Sequence, residues 1–414
     1  MAARDVIVDL RDLAARTSDA NGAQRVAWTP VWRDARDWLD GRIEPLGLRA
    51  EMDRAGNRWI TLPGASSRTV IIGGHLDSVP NGGWLDGPLS ILAGVEALRR
   101  LLGTRPPVTL ALVDFADEEG ARFSRSLLGS SGASGTLVPD TLRHVVDKQG
   151  VRLVDALREN GVDADRMPEA RGALMARDPR AYLELHIEQG PVLESMDRPA
   201  GVVIGTYGVE RHALRFTGQA AHSGSTPIAM RRDAFLAAAE AALAFREIAR
   251  RYSTPEAGMV CTVGTVAVEP GIVTAVPGVC EISLDQRALE RETLAGALAD
   301  AHEAAESAAK ANDVTVDWRH IWRIEPRRFD PRLIELCAEA VREVTGHAPH
   351  LPSGPLHDAV EMGRLMPAVM MFAYSARGLS HCKEEDTPEP YLEQAIEAFV
   401  RLIDKTIALV ASQP

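Results

Sequence analysis

The chain is poor in the features that mark secreted, membrane-spanning or nucleic-acid-binding proteins. It has only four cysteines in 414 residues, Cys261, Cys280, Cys337 and Cys382, with no CxxC spacing. That argues against a disulfide framework or a thiolate metal cluster and leads us to expect a reduced, cytoplasmic setting. No apolar run approaches the roughly 18 residues of a membrane helix. The opening MAARDVIVDLRDLAARTSDANG carries charge every few positions, unlike the apolar stretch of a signal peptide. Basic residues are outnumbered 46 to 58, a formal charge of −12, and aromatics make up 5%. Without a basic, aromatic-bearing cluster, neither nucleic acid nor an anionic membrane is an expected partner. GxGxxG, Walker and GxSxG motifs are absent, as are internal repeats.

What is present has the composition of a globular protein, 45% hydrophobic and 25% charged. Its length exceeds one ordinary core, so two domains are the default. Hydrophobic spacing predicts helices over 5–16 and from the cap Thr29-Pro30 to near Gly41. Positions 48–52 and 59–62 alternate around a turn. The runs TVIIG (69–73) and VTLALVDF (108–115), joined by a helical 89–102, read as buried parallel strands of a βαβ unit. His75 and the acids Asp117 to Glu119 then fall just past the carboxyl ends of adjacent strands, where open α/β sheets bind ligands. From 211 to 326 the order becomes strand (212–217), helix (231–251), strand (259–268), strand (278–288), helix (291–310), strand (314–321). This is the ferredoxin-like βαββαβ arrangement. The expected architecture is therefore an α/β catalytic domain, residues 1–210 and 327–414, interrupted by an inserted α+β domain, 211–326.

Five candidate metal ligands stand at the edges of apolar runs: His75, Asp86, Glu119, His186 and His381. Three histidines with two or three carboxylates suit a pair of divalent cations, zinc foremost, with manganese, cobalt or nickel also accepted. That donor set points to a hydrolase with a dinuclear centre. In the extended stretch 74–78 residues two apart share a face, so Asp77 is placed to hold the ring of His75. Alone, an HxD could equally be a buried histidine satisfied by a neighbour. Asp86 follows in the glycine-rich NGGWLDG, whose freedom lets a carboxylate turn inward, and its two oxygens can bridge two cations. Asp117, Glu118 and Glu119 are either a solvated acidic turn or a division of labour, one acid ligating while the next takes a proton from water. His186 ends a strand-like 181–185, with a polar surface turn as the alternative. Adjacent side chains rarely reach one metal, so His381 rather than Cys382 is the expected ligand. His222, in AAHSGSTP, is a further functional histidine or a polar loop residue. The serine- and glycine-rich run 124–135 predicts a polar wall rather than a core helix.

HLDSVPNGG, DEEGARF, LELHIEQGP and AHSGSTP occur in order, and with the later motifs they span nearly the whole chain. In this combination the sequence resembles the hydantoinase/carbamoylase branch of the zinc aminoacylase and carboxypeptidase clan. That branch holds N-carbamoyl-L-amino acid hydrolases, β-ureidopropionases and allantoate amidohydrolases. The resemblance implies a dinuclear metallopeptidase-like catalytic domain, with the insert serving as lid and homodimer interface. It places His75 and His186 on one metal, Glu119 and His381 on the other, and Asp86 between them. Glu118 becomes the general base and His222 stabilises the oxyanion. Gln189, His357 (in SGPLHDA) and Arg287 (in SLDQRA) are implied substrate residues, as is the position of Thr274. Arg287 has the planar fork that grips a carboxylate, or else pairs with Asp285.

The implied reaction cleaves a linear, non-peptide C–N bond, foremost in an N-carbamoyl-L-amino acid, giving the L-amino acid, CO₂ and ammonia. Allantoate or an N-acyl-amino acid is the alternative substrate, and a catalytically silent metal-binding relative the alternative class. Three positions depart from the family pattern: Ser90 stands for a glycine in DGPLSILAG, Ser131 for an arginine in LGSSGASG, and Thr274 for an asparagine in GIVTAVPG. None is a metal ligand, so catalysis is expected to survive and substrate choice to be what they affect.

Overall fold

The computed structural model describes residues 2–254 and 258–413. Two compact units emerge. One comprises the chain up to Ile204, Phe329–Leu351 and the chain from Pro355 on; the other is Gly205–Arg328 with Pro352–Gly354. The inserted unit thus begins before the expected Arg211. The short strand Arg327–Arg328 pairs antiparallel with Gly205 and Thr206, which draws both ends of the insert outward.

In the catalytic unit the sheet runs Ala50–Met52, Arg58–Leu62, Thr109–Phe115, Thr69–His75, Pro179–Ile187, Ala368–Ala373, Ala200–Thr206. The four central strands are parallel, and the outer pairings are antiparallel. Every residue of Thr69–His75 is buried, as a strand covered on both faces requires. Side-chain alternation divides it: Val70 and Ile72 join a core with Leu10, Leu92 and Phe399 from flanking helices, while Ile71 joins Trp59, Phe115 and Tyr182 on the other face. Each such buried aliphatic side chain contributes about 1.5–3 kcal/mol.

Local signals set the helix ends. Thr29 accepts from the Trp32 N–H ahead of Pro30, and the helix runs to Ile43. The Pro331–Thr345 helix is capped by the Asp330 carboxylate and stopped by Gly346 at φ +78°. The run 124–135 corrects the sequence expectation. Leu128–Ser134 is a short helix with all seven residues buried. Its small residues allow this: a Cβ on Gly129 would lie 2.1 Å from Asn57 Oδ1, and one on Gly132 2.7 Å from Ala55.

The inserted unit has an antiparallel sheet whose outer position is shared by Val260–Thr262 and Val266–Glu269. Val279–Ala288, Gly208–Thr217 and Thr315–Ile324 follow. Helices Ala234–Tyr252 and Arg291–Ala311 pack their alanine faces, with Phe245, against Leu214, Phe216, Ile282 and Leu284. Asp233 caps the first of them. The single strand expected over 259–268 is two, because the Gly264 and Thr265 N–H groups turn to the Ser283 hydroxyl at 3.1 and 3.0 Å. No helix among the described residues is long and apolar enough to cross a membrane.

Candidate metal centre

The candidate ligands gather because the parallel strands all end on one side of the catalytic sheet. His75 closes Thr69–His75, His186 is next to last in Pro179–Ile187, and the three acids follow Thr109–Phe115. Asp86 stands between the others. Its Oδ1 lies 3.1 Å from His186 Nε2 and 3.6 Å from His75 Nε2; its Oδ2 lies 3.4 Å from His381 Nε2. His381 Nε2 is in turn 3.5 Å from Glu119 Oε2. Two donor groups result, His75–Asp86–His186 and Asp86–Glu119–His381, each with its donor atoms within 4.8 Å of one another. Asp86 alone belongs to both. Glu118 belongs to neither, although its Oε2 is 3.8 Å from His75 Nε2.

These residues fit divalent cations on their own evidence. His75 Nε2 and Glu119 Oε1 are buried without a hydrogen-bond partner, which is costly unless something else satisfies them. Burial, then the charges of Asp358, Glu119, Asp77 and Asp86, pushes the Glu118 carboxyl far above its usual range. Burial and the charges of Asp86 and Asp77 do the same to Glu119. Positive charge between them relieves that crowding. A nitrogen and oxygen donor set of this kind suits borderline divalent ions.

Outer contacts orient the rings. His75 Nδ1 is 3.0 Å from the Asp77 carbonyl oxygen, whereas the Asp77 carboxylate is 3.8 Å away. Asp77 therefore holds the ring, but through its backbone rather than the expected carboxylate. That carboxylate accepts from the N–H groups of Glu118 and Glu119, both at 3.2 Å, and pins the acidic turn. His186 Nδ1 is likewise 2.9 Å from the Ile187 carbonyl. Both contacts favour an Nδ1–H tautomer, leaving Nε2 to face the donor group. Burial takes His75 down to about 4. For His186 burial also pulls downward, but the hydrogen bond and charge of Asp86 outweigh it and raise the ring to about 9.

The glycine of the Asp86 loop that matters most is Gly87, at φ +85°, where a Cβ would meet the His75 carbonyl oxygen at 2.5 Å. It is needed both for that left-handed φ and for close passage. Three non-glycine residues around the centre, Asp117, Gln189 and His381, also have φ between +58° and +59°. Each such residue costs about 1–3 kcal/mol and is held by its surroundings.

Gln189 Nε2 donates to Asp86 Oδ2 at 2.9 Å and to Ser380 Oγ at 3.1 Å. His357 is buried with its ring 4.2 Å from that of His186. The structure thus brings both expected substrate residues of the catalytic unit up to the ligand set. Sequence reasoning missed Ser380 and Glu385. Glu385 Oε1 accepts from the Leu85 and Asp86 N–H groups, and Oε2 from Ser380. The only available signal was an acid in the KEED run after His381. Cys382 is a free, half-buried thiol.

In the inserted unit His222 and Thr274 are neighbours. Ala221–His222 pairs with Ala275–Val276, and Ser223 N donates to the Thr274 carbonyl at 2.9 Å. Both side chains are exposed. Arg287 does pair with Asp285, Nε to Oδ1 at 2.9 Å, and its Nη1 donates to the Gly354 carbonyl at 3.2 Å. Arg211 shares the same aspartate at 2.8 Å. Of the departures, Ser90 is buried, donating to the Gly73 carbonyl and accepting from Leu185 N, so it staples two strands. Ser131 bonds the Leu128 carbonyl within its own helix.

The sheet and the gathered donor atoms are those of an α/β protein with a candidate metal centre. Residues 71–405 match the profile of Peptidase family M20/M25/M40, and the chain belongs to that family. It is 36% identical over 383 residues to an N-carbamoyl-L-amino acid amidohydrolase of Geobacillus stearothermophilus, covering 88% of this chain and 89% of the relative. It is 30% identical over 388 residues to an allantoate amidohydrolase of Bacillus subtilis, covering 93% and 92%. A solved amidase of the hydantoinase/carbamoylase family from Burkholderia phymatum superposes with a TM-score of 0.86 at 30% identity, covering 99% and 98%. The resemblance read from the motifs is borne out, and the chain is a hydrolase of carbon–nitrogen bonds.

Proposed function

We propose that the chain hydrolyses N-carbamoyl-L-amino acids with two divalent cations, zinc foremost, held by His75, Asp86, His186, Glu119 and His381. The observation that carries the reading is Asp86, whose two oxygens face two separate donor groups. Bound there, the cations supply Lewis-acid polarisation and lower the pKa of water. The protein's own part falls first to Glu118. Buried beside His75 and outside both donor groups, it takes the proton from the attacking water and returns it to the leaving nitrogen. One water is consumed and the products are the L-amino acid, CO₂ and ammonia.

His222 presents an imidazole to the developing oxyanion, and Gln189 and His357 line the substrate. Arg287 grips the substrate carboxylate. Asp285 engages Nε at 2.9 Å and Nη2 at 3.5 Å and the Gly354 carbonyl takes Nη1, so gripping the substrate requires these contacts to give way. We further infer a homodimer through the inserted unit, where large apolar side chains are exposed: Ile228, Met230, Leu243, Val260, Val266 and Val273, the last at 99%. The four free cysteines suit a reducing cytoplasm.

Allantoate is the second reading. The likeness to the Bacillus subtilis allantoate amidohydrolase supports it. Thr274 offers one hydroxyl where the family's asparagine has an amide, so the carboxylate is held less firmly or a differently shaped acid is favoured. A panel of N-carbamoyl, N-formyl and N-acetyl amino acids plus allantoate, assayed for metal-dependent ammonia or amine release, tests both. N-carbamoyl-L-amino acids are expected to be the best substrates. Preferential turnover of allantoate would replace the first reading with the second, and no turnover of any would support the silent relative.

A further inference from the structure

One carboxylate outside both donor groups ties together the two loops that carry Asp86 and His381. Glu385 is buried, four residues past His381. Its Oε1 accepts from the Leu85 N–H at 3.1 Å and the Asp86 N–H at 3.0 Å. Its Oε2 accepts from Ser380 Oγ at 2.9 Å, and the same hydroxyl lies 3.0 Å from Asp86 Oδ2. Its backbone N–H donates to the Cys382 carbonyl, closing the turn that follows His381. The Asp86 loop is shaped to receive it: a Cβ on Gly83 would lie 2.1 Å from the Glu385 carboxyl carbon. A buried carboxylate is expensive unless its lone pairs are engaged, and here three donors engage them. An apolar side chain could fill the same space, but it would leave the Leu85 and Asp86 N–H groups unpaired and Asp86 free to turn.

We propose that Glu385 is a positioning residue for the metal centre, fixing the angle at which Asp86 presents Oδ2 to the Glu119–His381 side. This rests on the two-cation reading above but not on the identity of the substrate. Glu385 acts through Asp86 and Ser380 and ligates nothing itself. Asp86 Oδ1 is separately engaged by His186, so the His75–His186 side should depend on Glu385 far less.

The test is metal binding by the purified full chain, stripped and then titrated with cobalt(II) or zinc(II) against a competing chelator. E385Q keeps the volume but can donate where Glu385 accepts, E385A removes the contact, and G83A displaces the carboxyl without changing it. The parent should fill in two steps. The variants should weaken one step by about 10–100-fold, the usual weight of an outer contact, and leave the other within about threefold. The cobalt absorption of the weakened step should change, and metal-free E385Q should melt near the parent, whereas E385A, with two N–H groups unpaired, should melt lower. If E385A does not fold, E385Q and G83A carry the test. Unchanged binding at both steps overturns the proposal. So does equal weakening of both with a lowered metal-free melting temperature, which describes a loop staple. A parent that binds one cation refutes the two-cation reading. Glu385 is then judged on whether E385Q weakens that single cation while metal-free melting holds.

Discussion

The catalytic and inserted units hold their candidate site residues differently, His381 apart, which is exposed as His222 is. In the catalytic unit His75, Asp86, Glu118 and His186 are buried, fixed by carbonyl and N–H contacts, and surrounded by left-handed backbone. In the inserted unit His222, on a two-residue ribbon, and Thr274, beside it, are exposed, and Arg287 is held by a half-buried aspartate that it shares with Arg211. The first unit is preorganised, and its electrostatics are built before substrate arrives. The second offers exposed groups whose use depends on what meets them. Proton transfer should therefore answer to the catalytic unit and carboxylate recognition to the inserted unit, with His222 the residue of the insert expected to act on the chemistry.

The largest effect should come from Glu118→Gln. It should retain its metals, measured by elemental analysis, and lose about 10²–10⁴-fold in kcat, the usual weight of a general base. Loss of metal, or a near-normal rate, would remove Glu118 from that role. Next is Arg287→Lys, which keeps the charge and loses the fork. Complete loss of the anchor should cost about 2–5 kcal/mol if the pair is desolvated in the complex, so the lysine variant should chiefly raise KM. A neutral amide analogue turned over as well as the acid would rule out carboxylate anchoring.

Mixing inactive His222→Ala with inactive Glu118→Gln subunits separates the two ways the insert could serve. Partial return of activity is expected if one subunit's His222 completes another's centre. Demonstrated subunit exchange with no activity would confine His222 to its own chain. The smallest effect is reserved for Thr274→Asn, a several-fold gain in kcat/KM for ordinary N-carbamoyl-L-amino acids. No change there would detach Thr274 from substrate choice.

The same contrast explains what the sequence made legible. Elements set by short-range pattern were readable, such as the buried runs ending at His75 and Phe115 and the helices begun by Thr29-Pro30 and Asp330. His75, His186 and the turn holding Glu119 could be proposed because each stands at or just past a strand end, whereas Asp86 and His381 lie in loops and were proposed from their motifs. Features made by contacts across hundreds of residues were not readable. Glu385 meets the Asp86 N–H 299 positions away, and nothing in KEED announces it. The Asp77 carboxylate was assigned to the nearby ring because two-residue spacing favours that, but the N–H groups of Glu118 and Glu119, brought up by sheet pairing, won it instead. Composition misled at Leu128–Ser134, where serine and glycine signal close packing rather than exposure.

The central claim is that one carboxylate joins two cation sites, and metal stoichiometry tests it most directly. Parent protein and Asp86→Ala, each equilibrated with zinc(II) and freed of excess, are compared by elemental analysis. The account predicts two cations per parent chain and the loss of at least one from the variant, since a missing bridge leaves neighbouring cations to repel each other. A parent with one cation, or a variant that keeps two, would contradict it.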